Sequence, residues 1–276
     1  MSHFYKFIAF LDKNNDLPFV IKKRIFDACL LSTILYGCES WLNGNIKPVT
    51  KVYNWALKQL LGVRMTTCSD VCYIESGYSS VQSIIKNKQR IFFTKMVNDR
   101  YPLQDDPLGF TLRLVLNSTS VTSNYLHNIL NDNTNYCQQD LENLKYNIMQ
   151  SDSSRRVTYR STMHVELSCH YIYCVKNNIY ELYRTAFTRF RVSSHMLAIE
   201  TGRWNRRGRG RLPVEERLCS CGLGLVQSED HVISSCPLSY SLRIKYNFTC
   251  LNDLMTGDIP MEIVCKIIYE VLELYK

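Results

Sequence analysis

In "KPVTKVYNWALKQLLG", residues Val49, Val52, Tyr53, Ala56, Leu57, Leu60 and Leu61 fall at i, i+3, i+4, i+7, i+8, i+11 and i+12, and Gly62 follows. At about 3.6 residues per turn this spacing gathers the apolar side chains into one stripe, and a glycine is the usual stop. The same period returns along most of the chain. Runs that alternate apolar and polar residues, the mark of a half-buried strand, are few. The expected class is all-α.

Around that stripe the first third reads as a bundle. "NDLPFVIKKRIFDACLLSTILYG" offers Asn15 or Asp16 as a cap, Pro18 in the first turn and Gly37 as the stop. A short helix over "SDVCYIESG" has Ser69 as its expected cap. In "SSVQSIIKNKQRIFFTKMVNDR" the expected inner side is Val81, Ile84, Ile85, Lys88, Phe92 and Met96. Four helices with short connections make a compact bundle. At "NDRYPLQDDPLGF" two prolines and a glycine break the pattern. The expected layout is a helical bundle over 1–100, a helical connector over 101–180 and a small basic, zinc-knuckle-like unit over 181–276. Two or three helices fall in 107–150, and 153–190 is largely helical. There Tyr180, Tyr183, Phe187 and Phe190 recur every three to four residues as core positions. "DIPMEIVCKIIYEVLELY" is a further amphipathic helix.

Composition excludes some classes. Of 276 residues, 46% are hydrophobic and 21% charged, with few glycines and prolines, so extended disorder is not expected. The longest apolar stretch, "FDACLLSTILYG", carries Asp27 and is too short to span a bilayer. No cleavable leader is evident at the start. Twelve cysteines in so long a chain do not read as the disulfide framework of a small secreted domain. The expectation is an intracellular protein, nuclear or cytoplasmic, with reduced thiols that are mostly small core residues and with no membrane partner. The net charge of +8 suits an anionic partner.

Cysteine and histidine crowd together in "CSCGLGLVQSEDHVISSC". Cys219, Cys221, His231 and Cys236 have the spacing C-x-C-x9-H-x4-C. Thiolate and imidazole are the ligands of closed structural zinc sites, and four of them complete a tetrahedron. Cys219 and Cys221 share a face of an extended segment, and Gly222 and Gly224 allow a tight turn. Ser228 is placed to cap a short helix that carries His231 in its first turn. On a regular helix a residue five further on is rotated away by roughly 140°, so Cys236 reaches His231 only if the helix ends first. Pro237 favours that, because it biases Cys236 away from the α region. The expected cofactor is one zinc ion. Cys68 with Cys72, and His170 with Cys174, also stand at i, i+4, but two ligands make no closed site, and core packing is the expected role.

Just upstream, "TGRWNRRGRGRLPVEER" sets six arginines against two glutamates. Arginine forks suit phosphates and an aromatic face suits a base. Arg203, Trp204, Arg206, Arg207, Arg209 and Arg211 are the candidate contacts for RNA or single-stranded DNA.

Several phrases together resemble the C-terminal region of non-LTR retrotransposon reverse transcriptases. "LLSTILYGCESWL" followed by "YNWALKQLLGVR" is similar to their thumb, with Tyr36, Gly37, Glu39 and Trp41 matching its tyrosine–glycine–glutamate–tryptophan phrase. "RVSSHMLAIETGRWNR", "EERLCSCG" and "SEDHVISSCPLSYSLRIKY" resemble the end of the same polyproteins, with Cys236, Pro237, Tyr240 and Arg243 in the tail motif. The resemblance implies a thumb that grips a template–primer duplex, a separate palm domain as partner, and a knuckle that contacts template RNA or target DNA. It also implies Cys219, Cys221, His231 and Cys236 as knuckle ligands. The family more often has two or three residues between the first cysteines, where this chain has Ser220 alone.

A polymerase of that family needs paired aspartates to hold two magnesium ions. The adjacent aspartates here, Asp105 and Asp106, stand in a loop before a helix and read as its cap. No endonuclease constellation is visible. The expected function is therefore non-catalytic nucleic-acid binding. The alternatives are an inactive structural remnant of a retroelement and a helical protein-interaction adaptor.

Overall fold

The computed structural model describes all residues except 1, 43, 101–105, 162–170, 174–178, 205–209 and 257. Helices dominate the described residues, and the extended pairing among them is one isolated antiparallel bridge between Leu218 and Val226. The all-α class holds. No described helix is long and apolar enough to cross a membrane.

The chain opens with α1 (Ser2–Lys13), which buries Phe4, Phe7 and Leu11 at i, i+3 and i+7. The sequence reading passed over this helix, although its apolar spacing is regular. Next comes α2 (Phe19–Ile25), which runs through a π-pitched stretch (Phe26–Leu31) into α3 (Ser32–Ile34). Neither Asn15 nor Asp16 caps α2: Pro18 stands at its N-cap with no side-chain cap bond. Instead, the Asn15 carbonyl accepts a bond of 2.7 Å from the buried Lys22 ammonium. Gly37, at φ +65°, turns the chain as expected and leads into a 3-10 turn (Cys38–Ser40).

The apolar stripe of residues 49–61 lies on α4 (Lys47–Leu61), which buries Tyr53, Ala56, Leu57, Leu60 and Leu61. Gly62 ends the helix at φ +74°, where a side chain would meet Thr185. α5 (Ser69–Ser76) starts at Ser69 itself, so Cys68, not Ser69, is the N-cap. On α6 (Val81–Arg100) the inner row is Val81, Ile85, Gln89 and Phe93. Phe92 is 43% exposed and Lys88 is exposed, a correction to the expected face. The reason is local. Gln89 is buried because its amide donates to the carbonyls of Cys38 (3.2 Å) and Trp41 (3.3 Å) and accepts from the Tyr125 hydroxyl (2.7 Å). A polar residue with all its bonds made can occupy a core row.

Three helices follow: α7 (Pro107–Leu116), α8 (Val121–Asn131) and α9 (Tyr136–Met149). Asp106 caps α7 by accepting from the Gly109 amide at 2.8 Å, as expected, while Asp105 lies outside the described residues. α10 (Ser154–Ser161) and a turn at Tyr171–Tyr173 lead to α11 (Glu181–Arg191), then α12 (Ala198–Thr201). α11 buries Phe187 and Phe190, but Tyr180 is half exposed rather than core, because it stands at the N-cap. After the cysteine-rich segment come α13 (Tyr240–Tyr246), α14 (Leu251–Thr256) and α15 (Met261–Glu273). α15 packs along α11 and buries Val264, Cys265, Ile267, Ile268 and Val271. One apolar cluster runs from Phe4 on α1 to Val271 on α15.

Buried charge ties distant helices together. Glu75 on α5 is fully buried and accepts from the hydroxyls of Tyr159 and Tyr173, both at 2.9 Å, and from Arg191 Nε at 2.9 Å and Nη2 at 3.1 Å. Glu181 on α11 accepts from Lys22 at 3.0 Å and from Arg184 at 2.7 and 2.8 Å. Each carboxylate has its partners in place, which a charge removed from water requires.

Candidate metal centre and arginine cluster

The cysteine-rich segment folds into a hairpin and a turn that face each other. Cys219 donates its amide to the Leu225 carbonyl (2.8 Å) and Gln227 donates to the Arg217 carbonyl (2.8 Å). The loop between passes through Gly222 and Gly224 at φ +80° and +69°, conformations that L side chains rarely adopt. Ser228 Oγ accepts from the His231 amide at 3.1 Å, the cap expected of it. From His231 to Ser235 the chain takes a π-type turn, and the Cys236 amide donates to the His231 carbonyl at 2.8 Å. That i→i+5 bond answers the rotation problem. The wider turn carries a residue five further on back toward its start. Cys236 then leaves the helix in extended conformation, φ −68° and ψ 131°, before Pro237.

The four expected ligands meet. The Sγ atoms of Cys219, Cys221 and Cys236 and a ring nitrogen of His231 all lie within 4.8 Å of one another. Cys219 Sγ is 3.7 Å from Cys236 Sγ, and Cys221 Sγ is 3.5 Å from His231 Nε2. Zn–S near 2.3 Å and Zn–N near 2.0–2.1 Å give tetrahedral edges of about 3.8 Å for S–S and about 3.6 Å for S–N. The donor set and both edges suit a tetrahedral zinc ion. His231 Nδ1 lies 3.0 Å from Ser235 Oγ, which fixes the ring and leaves Nε2 for a metal. Burial lowers the His231 pKa against the pull of Asp230, which favours the neutral ring, the form that ligates. Burial pushes the Cys219 thiol up to about 11.

A further residue clamps the turn. The Arg243 guanidinium donates to the carbonyls of Ile233 (3.1 Å) and Cys236 (2.9 Å) and to Ser239 Oγ (2.9 Å). It thus satisfies carbonyls that a short helix leaves free at its end, and it sits over the Tyr240 ring at 5.7 Å. Nothing in the charge of Arg243 distinguished this role from that of a solvated cation.

The arginine stretch is placed in part. Arg206, Arg207 and Arg209 lie outside the described residues, and Arg203, Trp204 and Arg211 are described. Trp204 does not offer both faces for stacking, because the Arg64 guanidinium covers one at 4.7 Å. Arg203 ion-pairs with Glu200 at 3.1 Å, and the same carboxylate takes Arg155 at 2.9 Å and Arg64 at 3.8 Å. Glu200 is 1% exposed. Arg217 closes the segment's far end by donating to the carbonyls of Leu212 (3.1 and 2.7 Å) and Ile199 (3.0 Å). Gly202 permits this, since a Cβ there would stand 2.5 Å from Arg217 Cγ. Sequence reasoning missed Arg64 and Arg155, which come from far along the chain and carry no local signal.

The expected i, i+4 pairs divide. Cys72 is buried and Cys68 half-buried, with no third ligand gathered among the described residues, whereas His170 and Cys174 lie outside them. The expectation of mostly core cysteines holds for Cys38, Cys72 and Cys265, but Cys29 is exposed and Cys137 and Cys250 are half-buried. No family model, no curated protein and no solved structure matches this chain.

Proposed function

We propose that the chain is a non-catalytic nucleic-acid-binding module whose basic end is fixed by one zinc ion. It would correspond to the thumb and post-polymerase knuckle of a retroelement reverse transcriptase. In this reading residues 1–100 form the thumb-like bundle, 101–180 the connector and 181–276 the knuckle unit. Template RNA or target DNA is the ligand, and a separate palm domain supplies the chemistry. The observation that carries the reading is a juxtaposition. Cys219 follows two residues after Arg217, whose guanidinium bonds the carbonyls of Ile199 and Leu212 on either side of the basic stretch, so the ligand cluster adjoins the anchored ends of that stretch. When bound, zinc supplies cross-linking there.

An electrophoretic shift with single-stranded RNA and single-stranded DNA across a salt series tests it. Binding that weakens steeply as salt rises is expected. No retardation of either strand at 50 mM salt would end the reading, and magnesium-dependent primer extension by the purified chain would end its non-catalytic part. A second reading, a helical interaction adaptor, has one observation in its favour: α7 exposes Leu108, Phe110 and Leu114. Nuclease-resistant capture of a protein partner without any strand binding would favour it.

A further inference from the structure

Arg64, Arg155, Arg203 and Arg211 line an open cavity of about 540 Å³ whose remaining wall includes Met65 and Trp204. Arg64 follows α4, Arg155 stands on α10, and Arg203 and Arg211 flank the undescribed part of the basic stretch. Three separate parts of the fold thus point cations at one space. Among the described residues the carboxylates near that group are Glu200, which already takes three of the guanidinium groups, and Glu229, which acts on Arg203 and pairs with His195. Arg64 Nε and Nη1 are buried with no hydrogen-bond partner. Burial and the neighbouring Arg155 and Arg189 lower the Arg64 pKa against the pull of Glu200, and burial with Arg155 and Arg217 lowers that of Arg203 against Glu200 and Glu229. Like charges held together without enough counter-charge form a ready anion site. The sulfur of Met65 and the indole give the cavity an apolar wall that a bare phosphate would not use.

We propose that this cavity seats one nucleotide of a single-stranded nucleic acid, its phosphate among Arg64, Arg155 and Arg211 and its base against Met65 and Trp204. This rests on the nucleic-acid reading above and names the site. An unpaired strand is required, because a base inside a duplex stack has no free face to offer. An adjoining cavity of about 370 Å³ shares Arg155, Arg203 and Arg211 and continues past Ser153 and Val214. It leads the strand onward to the next phosphate.

The test uses the full chain with zinc, a fluorescein-labelled uridine 12-mer, and anisotropy across a salt series. Arg155→Gln with Arg211→Gln is compared with Lys86→Gln and Lys95→Gln, which remove the same charge from exposed positions on α6. The arginine pair is expected to weaken binding at least about tenfold and to reduce the salt slope by about 2. The lysine pair should leave both nearly unchanged. The strand should also quench indole fluorescence in the wild type and lose that part of the quench in Trp204→Phe. Because Arg155 pairs with Glu200, Arg211→Gln alone serves if the double variant melts early; Arg211 is exposed, and about half the change in slope is expected from it. If the wild type binds the 12-mer and both pairs of variants bind it equally, the cavity has no such role while the nucleic-acid reading stands. If the wild type binds no strand, that reading fails as well. Full displacement of the 12-mer by inorganic pyrophosphate at equal phosphate concentration would assign the cavity to free phosphate and overturn the proposal.

Discussion

Cys221→Ser isolates the metal from the rest of the fold. Cys221 is half-buried at the rim of the hairpin and is absent from the apolar core, so the substitution removes a ligand with little loss of packing. The Cys219–Cys236 and Cys221–His231 separations of 3.7 Å and 3.5 Å match two edges of a tetrahedral zinc site, and all four donors lie within 4.8 Å of one another, so the ligands are already gathered. With free zinc at about a thousand times Kd, binding stabilises the folded chain by about 4 kcal/mol. For a chain of this size each kcal/mol moves the melting temperature by about 2–4 °C. Chelation should therefore lower the wild-type melting temperature by about 8–16 °C, and the Cys221→Ser variant should start near the lowered value. Scanning calorimetry with and without chelator reads both, and elemental analysis under reducing conditions should give one zinc per wild-type chain. Equal chelator shifts in wild type and variant, or no shift in either, would refute the reasoning from ligand geometry to a bound ion.

Three other outcomes follow from the packing. Glu75→Gln leaves Arg191 buried without its counter-charge and should cost about 3–5 kcal/mol in urea unfolding; a loss below about 1 kcal/mol would show that water reaches the pair. Gly62→Ala and Gly37→Ala both place a side chain at positive φ, a cost of about 1–2 kcal/mol, but only the first brings a Cβ to 2.8 Å from Thr185. Gly62→Ala should therefore be the more destabilising, and equal losses would mean that Thr185 moves aside freely. Burial pushes the thiols of Cys72 and Cys265 up to about 12. At pH 8 only about one in ten thousand of them is thiolate. Iodoacetamide followed by peptide mass mapping should modify the exposed Cys29 well before either, and early labelling of Cys265 would indicate that α15 opens.

Much of the helical layout was legible because period and punctuation agree. The α4 stripe, its stop at Gly62 and the Asp106 cap of α7 follow from residues near in sequence. The misplaced face of α6 has a tertiary cause. Phe93 and Gln89 line the inner row of α6 in place of Phe92 and Lys88 because a turn at Cys38 and Trp41, remote in sequence, offers carbonyls to a buried amide. Hydrophobicity alone does not reveal a partner that far away. The four ligands were legible from residue type, and the condition on Cys236 was too, since Pro237 announced the exit from the helix. The π-type turn that satisfies the condition was not, because its i→i+5 bond has no local sequence signature. Arg64 and Arg155 look like ordinary surface cations until tertiary structure brings them to Glu200.

The pairing of α11 with α15 sets a schedule for the chain's own birth. α11 meets Lys22 and Glu75 through its charged side chains and lies along α15, so a ribosome that has finished α11 leaves the side that α15 covers open until Met261–Glu273 emerge. At about 5–20 residues per second, translation from Arg191 to Glu273 lasts about 4–16 s. Throughout that delay the apolar side chains that α15 will cover stay exposed, and synonymous codon changes that slow elongation between the two helices would lengthen that exposure.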